Sequence, residues 1–139
     1  MKYLLDTCVI SEFVKPVPHE KVISWLKDIS SEMLFLSVIT IGEVRKGITK
    51  LPDSKKKQKL ALWLNTILEE YQERIIPIDL MVADTWGIIQ GNAEKNGLSM
   101  SSIDGLIAAT TYTYNLTLIT RNEDDFTSSK IPIINPWKL

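Results

Sequence analysis

Five short apolar runs, separated by segments of helical periodicity, are the feature that most constrains the fold of this 139-residue chain. The runs are apolar at nearly every position, as expected of parallel strands covered on both faces of a sheet. The segments between them have the apolar spacing of amphipathic helices. Strands that alternate with helices predict a three-layer α/β/α sandwich with a central parallel sheet. The predicted strands span residues 2–6, 33–37, 75–78, 117–120 and 131–134.

The helical stripes predict five helices and a single core. Their aromatic side chains, such as Trp63 and Tyr114, are predicted to belong to that core. The Asn96–Gly97 pair predicts the end of the fourth helix. No repeat, low-complexity segment or long linker divides the chain, so residues 1–139 are expected to form one domain. The stripes lie at residues 22–26, 41–51, 60–71, 82–93 and 103–114.

Charge and cysteine content narrow the class of protein. The formal net charge of −1 gives no overall basic excess, so nucleic-acid binding would need a local patch. Cys8 is the only cysteine, which excludes an internal disulfide and favours a reducing compartment. Asp6 interrupts the first apolar run too early for a signal peptide, and no run is long enough to span a bilayer. We expect a soluble, cytoplasmic protein with no membrane association.

Several carboxylates are expected at the carboxyl ends of the strands, where sites form in open α/β sheets. Asp6 closes the first strand, and Asp124 and Asp125 follow the fourth. Glu43 lies early in the helix after the second strand, and Asp104 lies at the start of the helix that precedes the fourth. Clustered carboxylates repel one another unless a cation neutralises them. A few carboxylates completed by water are typical of a magnesium site.

Each carboxylate also has a purely structural explanation. Glu43 and Asp104 each stand three residues after a Thr or a Ser, the pattern of a capping box. Asp6 could cap the helix that follows it, and Asp125 could be a surface loop residue. The lone histidine, His19, is predicted to be a surface residue, and the absence of paired His and Cys argues against zinc. The residues alone leave an acidic metal pocket and a well-capped domain as equal alternatives.

Four segments of the chain resemble, in order, the motifs of PIN domains. They are residues 4–12 (LLDTCVISE), 37–47 (SVITIGEVRKG), 103–110 (IDGLIAAT) and 120–126 (TRNEDDF). The closing Asn135-Pro136-Trp137 also resembles the VapC-type (virulence-associated protein C) toxins of this family. The resemblance implies a metal-dependent endoribonuclease, the toxin of a type II toxin–antitoxin system, that uses magnesium or manganese. The partners it implies are an RNA substrate, with transfer RNA as one candidate, a cognate antitoxin protein and a second copy of the chain.

The resemblance also implies roles for individual residues. Asp6 and Asp104 would hold the metal, and Glu43 and Asp125 would complete the catalytic set. Asp125 is preferred to the adjacent acidic residue because it directly precedes Phe126, as in the family motif. Cys8 departs from the family, which commonly has Asn there; a thiol is a poorer hydrogen-bond partner than an amide. The candidates for substrate binding are Thr7, Thr120 and Asn122, which match polar positions of the family pocket, and the basic residues Arg45, Lys46 and Lys50 on the helix that carries Glu43.

Two other functions compete with this interpretation. The first is a catalytically inactive PIN domain that acts only as a protein- or RNA-binding module. The second is a phosphoacceptor signalling domain, which is also small, doubly wound and acidic at its site. Such a domain would need adjacent acids after the first strand, but Thr7 follows Asp6, and the second strand ends at Ser37 instead of an acceptor Asp.

Overall fold

A parallel five-stranded sheet forms the centre of the computed structural model, which describes all of residues 1–139. The strands lie in the order β3-β2-β1-β4-β5, and every neighbouring pair is parallel. All five predicted strands are therefore confirmed, although each is shorter than its apolar run. The strands are β1 (Tyr3–Leu5), β2 (Leu34–Ser37), β3 (Ile75–Ile76), β4 (Thr117–Ile119) and β5 (Ile133–Ile134).

Six α-helices and three 3₁₀ helices accompany these strands, and the last 3₁₀ helix follows β5. The predicted end of the fourth stripe is confirmed, because Gly97 has a φ of +68°, a conformation that favours glycine after a helix end. None of the helices is long and apolar enough to cross a membrane. The α-helices are α1 (Thr7–Glu12), α2 (Glu20–Lys27), α3 (Val38–Thr49), α4 (Lys55–Glu70), α5 (Leu80–Lys95) and α6 (Ser102–Thr113), and the 3₁₀ helices span Ser31–Met33, Glu123–Ser129 and Pro136–Lys138.

Both faces of the sheet are covered, which explains why its strands are apolar at successive positions. Leu5 is buried in a cluster with side chains from α1, α2 and α4. Its neighbour Leu4 is buried in a second cluster, together with Ile107 of α6 and Phe126 of the second 3₁₀ helix. The predicted three-layer sandwich is thus confirmed.

One predicted core aromatic lies elsewhere. Tyr114 is 40% exposed, so its assignment to the core is wrong. The residue is the C-cap of α6, beyond the last helical turn, and its hydroxyl donates to the carboxylate of Asp79, the N-cap of α5. The side chain therefore joins two helix ends at the surface, where its polar group can be satisfied.

The strand order determines where a site can form. β1 lies between β2 and β4, so the direction in which the chain winds reverses between β1 and β4. Ligand sites of open α/β sheets lie at such a switch point, outside the carboxyl ends of the strands. In phosphoacceptor domains the first strand instead lies between the second and the third. The topology therefore excludes the phosphoacceptor alternative.

Gly105 allows α6 to pack closely against α5. A Cβ atom at this position would overlap with Oε1 of Gln90 and lie 3.0 Å from Nε1 of Trp86. Gln90 is 6% exposed, and its Nε2 donates to the carbonyl of Met100 at 2.7 Å, so it cannot easily move away. We expect Gly105→Ala to lower the free energy of unfolding by roughly 1–3 kcal/mol, the usual cost of overpacking, as measured by urea denaturation.

Gly91 of α5 offers the matched control, because a Cβ atom there would meet nothing within 4 Å. Gly91→Ala should raise stability by roughly 0.5–1 kcal/mol through helix propensity alone. Equal midpoints for the two alanine variants would contradict the close packing inferred at Gly105.

Candidate functional site

Asp6 lies directly after β1 and is only 8% exposed. Its Oδ1 accepts the N–H of Thr7 at 2.9 Å, which confirms that Asp6 caps α1. Its Oδ2 accepts the hydroxyl of Thr120 at 2.8 Å, because the pairing of β1 with β4 brings their ends together. Capping occupies only one carboxylate oxygen, so it is compatible with a place for Asp6 in an acidic pocket.

Glu43 has no capping role. α3 begins at Val38, and the hydroxyl of its N-cap, Ser37, accepts the N–H of Ile39 at 3.0 Å. Glu43 therefore lies in the second turn, and the capping-box explanation is wrong for this residue. Its Oε1 instead accepts the hydroxyl of Thr7 at 2.8 Å. This bond holds the Glu43 carboxylate beside the segment that follows β1.

Asp104 lies in the first turn of α6, where the capping pattern is half formed. The hydroxyl of Ser101 accepts the N–H of Asp104 at 3.1 Å. The return bond, from the Ser101 N–H to the Asp104 carboxylate, is absent from the hydrogen bonds of the protein. The half-buried carboxylate of Asp104 is therefore free to serve another purpose.

Burial and like charge act together on Asp6. Burial raises the pKa of Asp6 above the ordinary value, and the hydrogen bonds from Thr120 and Thr7 oppose this shift. The negative charges of Glu43 and Asp104 then raise the pKa further. Three of the four predicted carboxylates are thus close enough to repel one another.

The fourth carboxylate joins the cluster through Asp104. Burial raises the pKa of Asp104, the hydroxyl of its N-cap serine opposes the shift, and the charges of Asp125 and Glu43 raise it further. The adjacent Asp124 acts on another neighbour, since its charge contributes to the raised pKa of Lys138, after the larger effects of Glu123. Asp125 is therefore the acid of the second 3₁₀ helix whose charge acts on Asp104, and the carboxylate cluster is defined as Asp6, Glu43, Asp104 and Asp125.

This carboxylate cluster contains no compensating cation from the chain. The ion pairs of the protein involve Glu12, Asp53 and Glu123 and none of the four clustered acids. No three His, Cys, Asp or Glu side chains are arranged to hold a metal ion directly. The residues therefore do not fit a cage built wholly of protein ligands. They do fit magnesium, which binds through one or two carboxylates and keeps several waters.

The polar and basic candidates differ in their surroundings. Thr120 is fully buried and its hydroxyl also accepts the N–H of Asn122 at 3.0 Å, so it fixes the end of β4. Lys46 is exposed one turn after Glu43 and lies on the same face of α3. Arg45, also exposed, lies about 200° around the helix from Glu43, on a different face.

Cys8 lies beside the cluster without forming part of it. Its Sγ is 3.5 Å from Oγ1 of Thr120 and 4.0 Å from Oδ2 of Asp6. Burial raises the pKa of the thiol, with a smaller contribution from the charge of Asp6, and a backbone N–H of Arg121 partly offsets the shift. The thiol is therefore kept protonated at neutral pH.

Two residues at this edge of the sheet are absent from the predicted set. Arg121 follows the end of β4, and its guanidinium lies over the ring of Trp137, 5.2 Å from the centroid. The strand-end argument that selected Asp6 applies equally to Arg121 and could have found it. Beside this pair lies a cleft of about 260 Å³ lined only by polar side chains, those of Arg121, Asn122, Glu123, Asp124, Asp125 and Lys138.

The chain has clear relatives among known proteins. The family model described as "PIN domain" matches residues 3–129. The chain is similar to Toxin FitB of Neisseria gonorrhoeae, with 39% identity over 135 residues that cover 96% of this chain and 97% of the relative. It is also similar to VapC ribonuclease Y4jK of Sinorhizobium fredii, with 32% identity over 136 residues that cover 97% of each.

Solved structures show the same fold. The crystal structure of FitAcB from Neisseria gonorrhoeae contains a chain that superposes with a TM-score of 0.92 at 39% identity, with 99% of both chains covered. The structure of VapBC2 from Rickettsia felis bound to a promoter DNA fragment gives a TM-score of 0.80 at 24% identity, over 97% of this chain and 98% of the other. At that identity the second likeness concerns the fold alone.

Proposed function

This chain belongs to the PIN-domain family, and on that basis we propose that residues 1–139 form one PIN domain that hydrolyses RNA as the toxin of a type II toxin–antitoxin pair. The observation that carries the proposal is the carboxylate cluster at the switch point of the sheet, which has no cation from the chain to neutralise it. Relatives named as a toxin and as a ribonuclease support the same assignment.

In the proposed mechanism the chain positions charge and a proton acceptor. Asp6 and Asp104 would hold magnesium, which when bound stabilises charge on the phosphate oxygens and lowers the pKa of water. Glu43 is fixed through Oε1 by the Thr7 hydroxyl, which leaves Oε2 to accept a proton from the water that attacks phosphorus. Asp125, exposed at the edge of the cluster, would orient that water or a second metal ion.

Substrate binding would depend on a local basic surface, because the net charge of the chain is −1. Lys46 is a stronger candidate than Arg45, since it shares a face of α3 with Glu43. Thr7 and Thr120 would contribute by fixing the carboxylates, because both hydroxyls are already bonded within the cluster. Asn122 is exposed beside the cluster and would contact the substrate directly.

An antitoxin would block the cluster from an adjacent groove. A groove of about 250 Å³ between α1, α3 and α4 opens beside Thr7 and Glu43, and its apolar lining includes Ile48, Leu60 and Trp63. Such a groove suits the apolar face of a partner helix.

We also propose a homodimer in the cytoplasm, where Cys8 would stay reduced. A protein that sediments as a monomer at all concentrations would contradict the homodimer.

RNA cleavage by the purified chain is the direct test. With magnesium present, the protein should produce defined RNA ends, and sequencing RNA ends after induced expression should locate the same sites. An Asp6→Asn variant prepared in the same way controls for a contaminating nuclease. Binding of a small protein from the neighbouring reading frame, without any cleavage by the wild-type chain, would favour the inactive binding module instead.

Cys8→Ser should retain most of the cleavage rate. The thiol has no histidine beside it to act as a base, since the lone His19 is exposed and outside the cluster, and the raised pKa of Cys8 keeps the sulfur protonated. Cleavage rates and thermal melts of the two proteins provide the comparison. A loss of about a thousandfold in a variant that melts normally would instead make Cys8 an essential catalytic group.

A further inference from the structure

The Arg121–Trp137 pair lies at the rim of the carboxylate cluster. Arg121 directly follows Thr120, whose hydroxyl donates to the Asp6 carboxylate at 2.8 Å. Trp137 belongs to the 3₁₀ helix that follows β5, and β5 pairs with β4. We propose that Arg121, whose guanidinium lies over the Trp137 ring, binds an RNA backbone phosphate beside the bond that is cut. This inference depends on the RNA-cleaving function proposed above.

A second arginine in the protein shows what is unusual about Arg121. Arg74 also lies over an aromatic ring, that of Tyr71, 4.5 Å from the centroid. Its guanidinium donates to the carbonyl oxygens of Leu34 at 2.7 Å and Glu70 at 3.0 Å, so its donors are used within the fold. The exposed side chain of Arg121 donates no hydrogen bond within the protein. Its planar donors are therefore free for a ligand that accepts several bonds at once, as a phosphate does.

Arg121 is an unpaired cation in the polar cleft, whose lining also includes Glu123, Asp124 and Asp125. The other cation of the polar cleft, Lys138, is already paired with Glu123 at 2.7 Å. The charge of Arg121 also has little effect on Glu12. Burial tends to raise the pKa of Glu12, but the pKa is lowered overall, mainly by Lys15 and the His19 N–H and least by Arg121. Arg121 itself forms no ion pair. An RNA strand that approaches four carboxylates needs such a cation, because the cluster alone repels the polyanion.

Trp137 is a firm support for the guanidinium. Its ring packs against the buried cluster that contains Leu5 and Leu26, and its main-chain N–H donates to Oδ1 of Asn135 at 3.0 Å. The side-chain amide of Asn135 donates to Glu123 at 2.9 Å, in the same 3₁₀ helix that presents Asp125. The cation and the fourth carboxylate therefore rest on connected elements, which would keep their spacing constant.

Steady-state cleavage of a labelled single-stranded RNA tests the inference. Arg121→Gln should raise KM about tenfold with a smaller change in kcat, because a charge-assisted bond to the substrate is lost. The slope of log(kcat/KM) against log[salt] should become shallower by about one unit, the change expected when one phosphate contact is lost. Arg121→Lys should recover part of the affinity, since it restores the charge without the planar donors. Lys27→Gln is the matched control, because it also removes one exposed positive charge. Lys27 ends α2, which precedes the amino end of β2, whereas the cluster lies at the carboxyl ends of the strands.

A binding measurement separates this inference from the proposed function. Fluorescence anisotropy with the same RNA in excess chelator should show about tenfold weaker binding for Arg121→Gln than for the wild type or Lys27→Gln. Equal affinity, KM and salt slope for the two glutamine variants would overturn the role of Arg121, even if the wild type cleaves RNA. If the wild type does not cleave RNA but Arg121→Gln still weakens RNA binding, the Arg121 contact is supported and the proposed nuclease function is wrong. Lower thermal stability alone, with KM and the salt slope unchanged, would make the pair purely structural and also overturn the inference.

Discussion

Removal of divalent metal should reduce RNA cleavage by about a thousandfold or more, and added magnesium or manganese should restore it. The carboxylate cluster supplies only oxygen ligands, which hard divalent cations prefer, and it has no Lys or Arg of its own as a counter-ion. The measurement is the cleavage rate of a labelled RNA in excess chelator, followed by titration with each metal.

The fold supplies the control for this experiment. Because no group of three or more ligands holds a metal within the protein, the metal-free chain should keep its circular dichroism spectrum and melt cooperatively. More magnesium should be needed as the pH falls, because burial raises the pKa of Asp6 and a protonated carboxylate is a poor ligand. Full cleavage in excess chelator would remove the metal from the mechanism.

The fold could be predicted from the sequence because its strands are buried on both faces. Residues such as Leu4 and Leu5 point to opposite sides of β1, yet both are fully buried, so the whole run is apolar and stands out from the helical stripes. The strand ends were less predictable. β5 includes only Ile133 and Ile134 of its run, because pairing with β4 and not hydrophobicity decides where a strand begins.

The candidate site was predictable only where a residue's place follows from its own strand. Asp6 closes β1 and lies where the sequence indicated. For Glu43 the sequence also allowed a capping-box role. The structure excludes that role because α3 begins at Val38, directly after β2, which places Glu43 beyond the first turn. The Arg121–Trp137 pair depends on β4 lying beside β5, and strand order cannot be read from local periodicity.

Asp104→Asn should abolish cleavage and leave the metal-free protein at least as stable as the wild type. Asn keeps the shape of the side chain but loses the charge, so metal affinity falls and cleavage should drop by about a thousandfold or more. The capping bond would survive, because it is donated by the Asp104 main-chain N–H to the Ser101 hydroxyl and needs no carboxylate. RNA cleavage and urea denaturation in chelator would be measured on both proteins.

The sign of the stability change separates a clustered carboxylate from a capping residue. Burial raises the pKa of Asp104, and the charges of Asp125 and Glu43 add to the shift, so the ionised side chain destabilises the folded state. Neutralising it should gain up to about 1 kcal/mol, a modest amount because water screens a half-exposed charge. If Asp104 only complemented the dipole of α6, Asn would instead cost roughly 0.3–1 kcal/mol.

The dependence on pH gives the same argument a second test. Because folding raises the pKa of Asp104, the wild type loses stability as the pH rises through that raised pKa and regains it below about 3.9, the ordinary pKa of Asp. Asn does not titrate, so the advantage of Asp104→Asn should be present at neutral pH and vanish in acid. Ser101→Ala provides the contrast, since it removes the capping bond and should cost about 1 kcal/mol at either pH. An Asp104→Asn variant that is less stable at neutral pH yet cleaves RNA at the wild-type rate would contradict the role of Asp104 as a metal ligand. It would also contradict the nuclease mechanism that depends on that role.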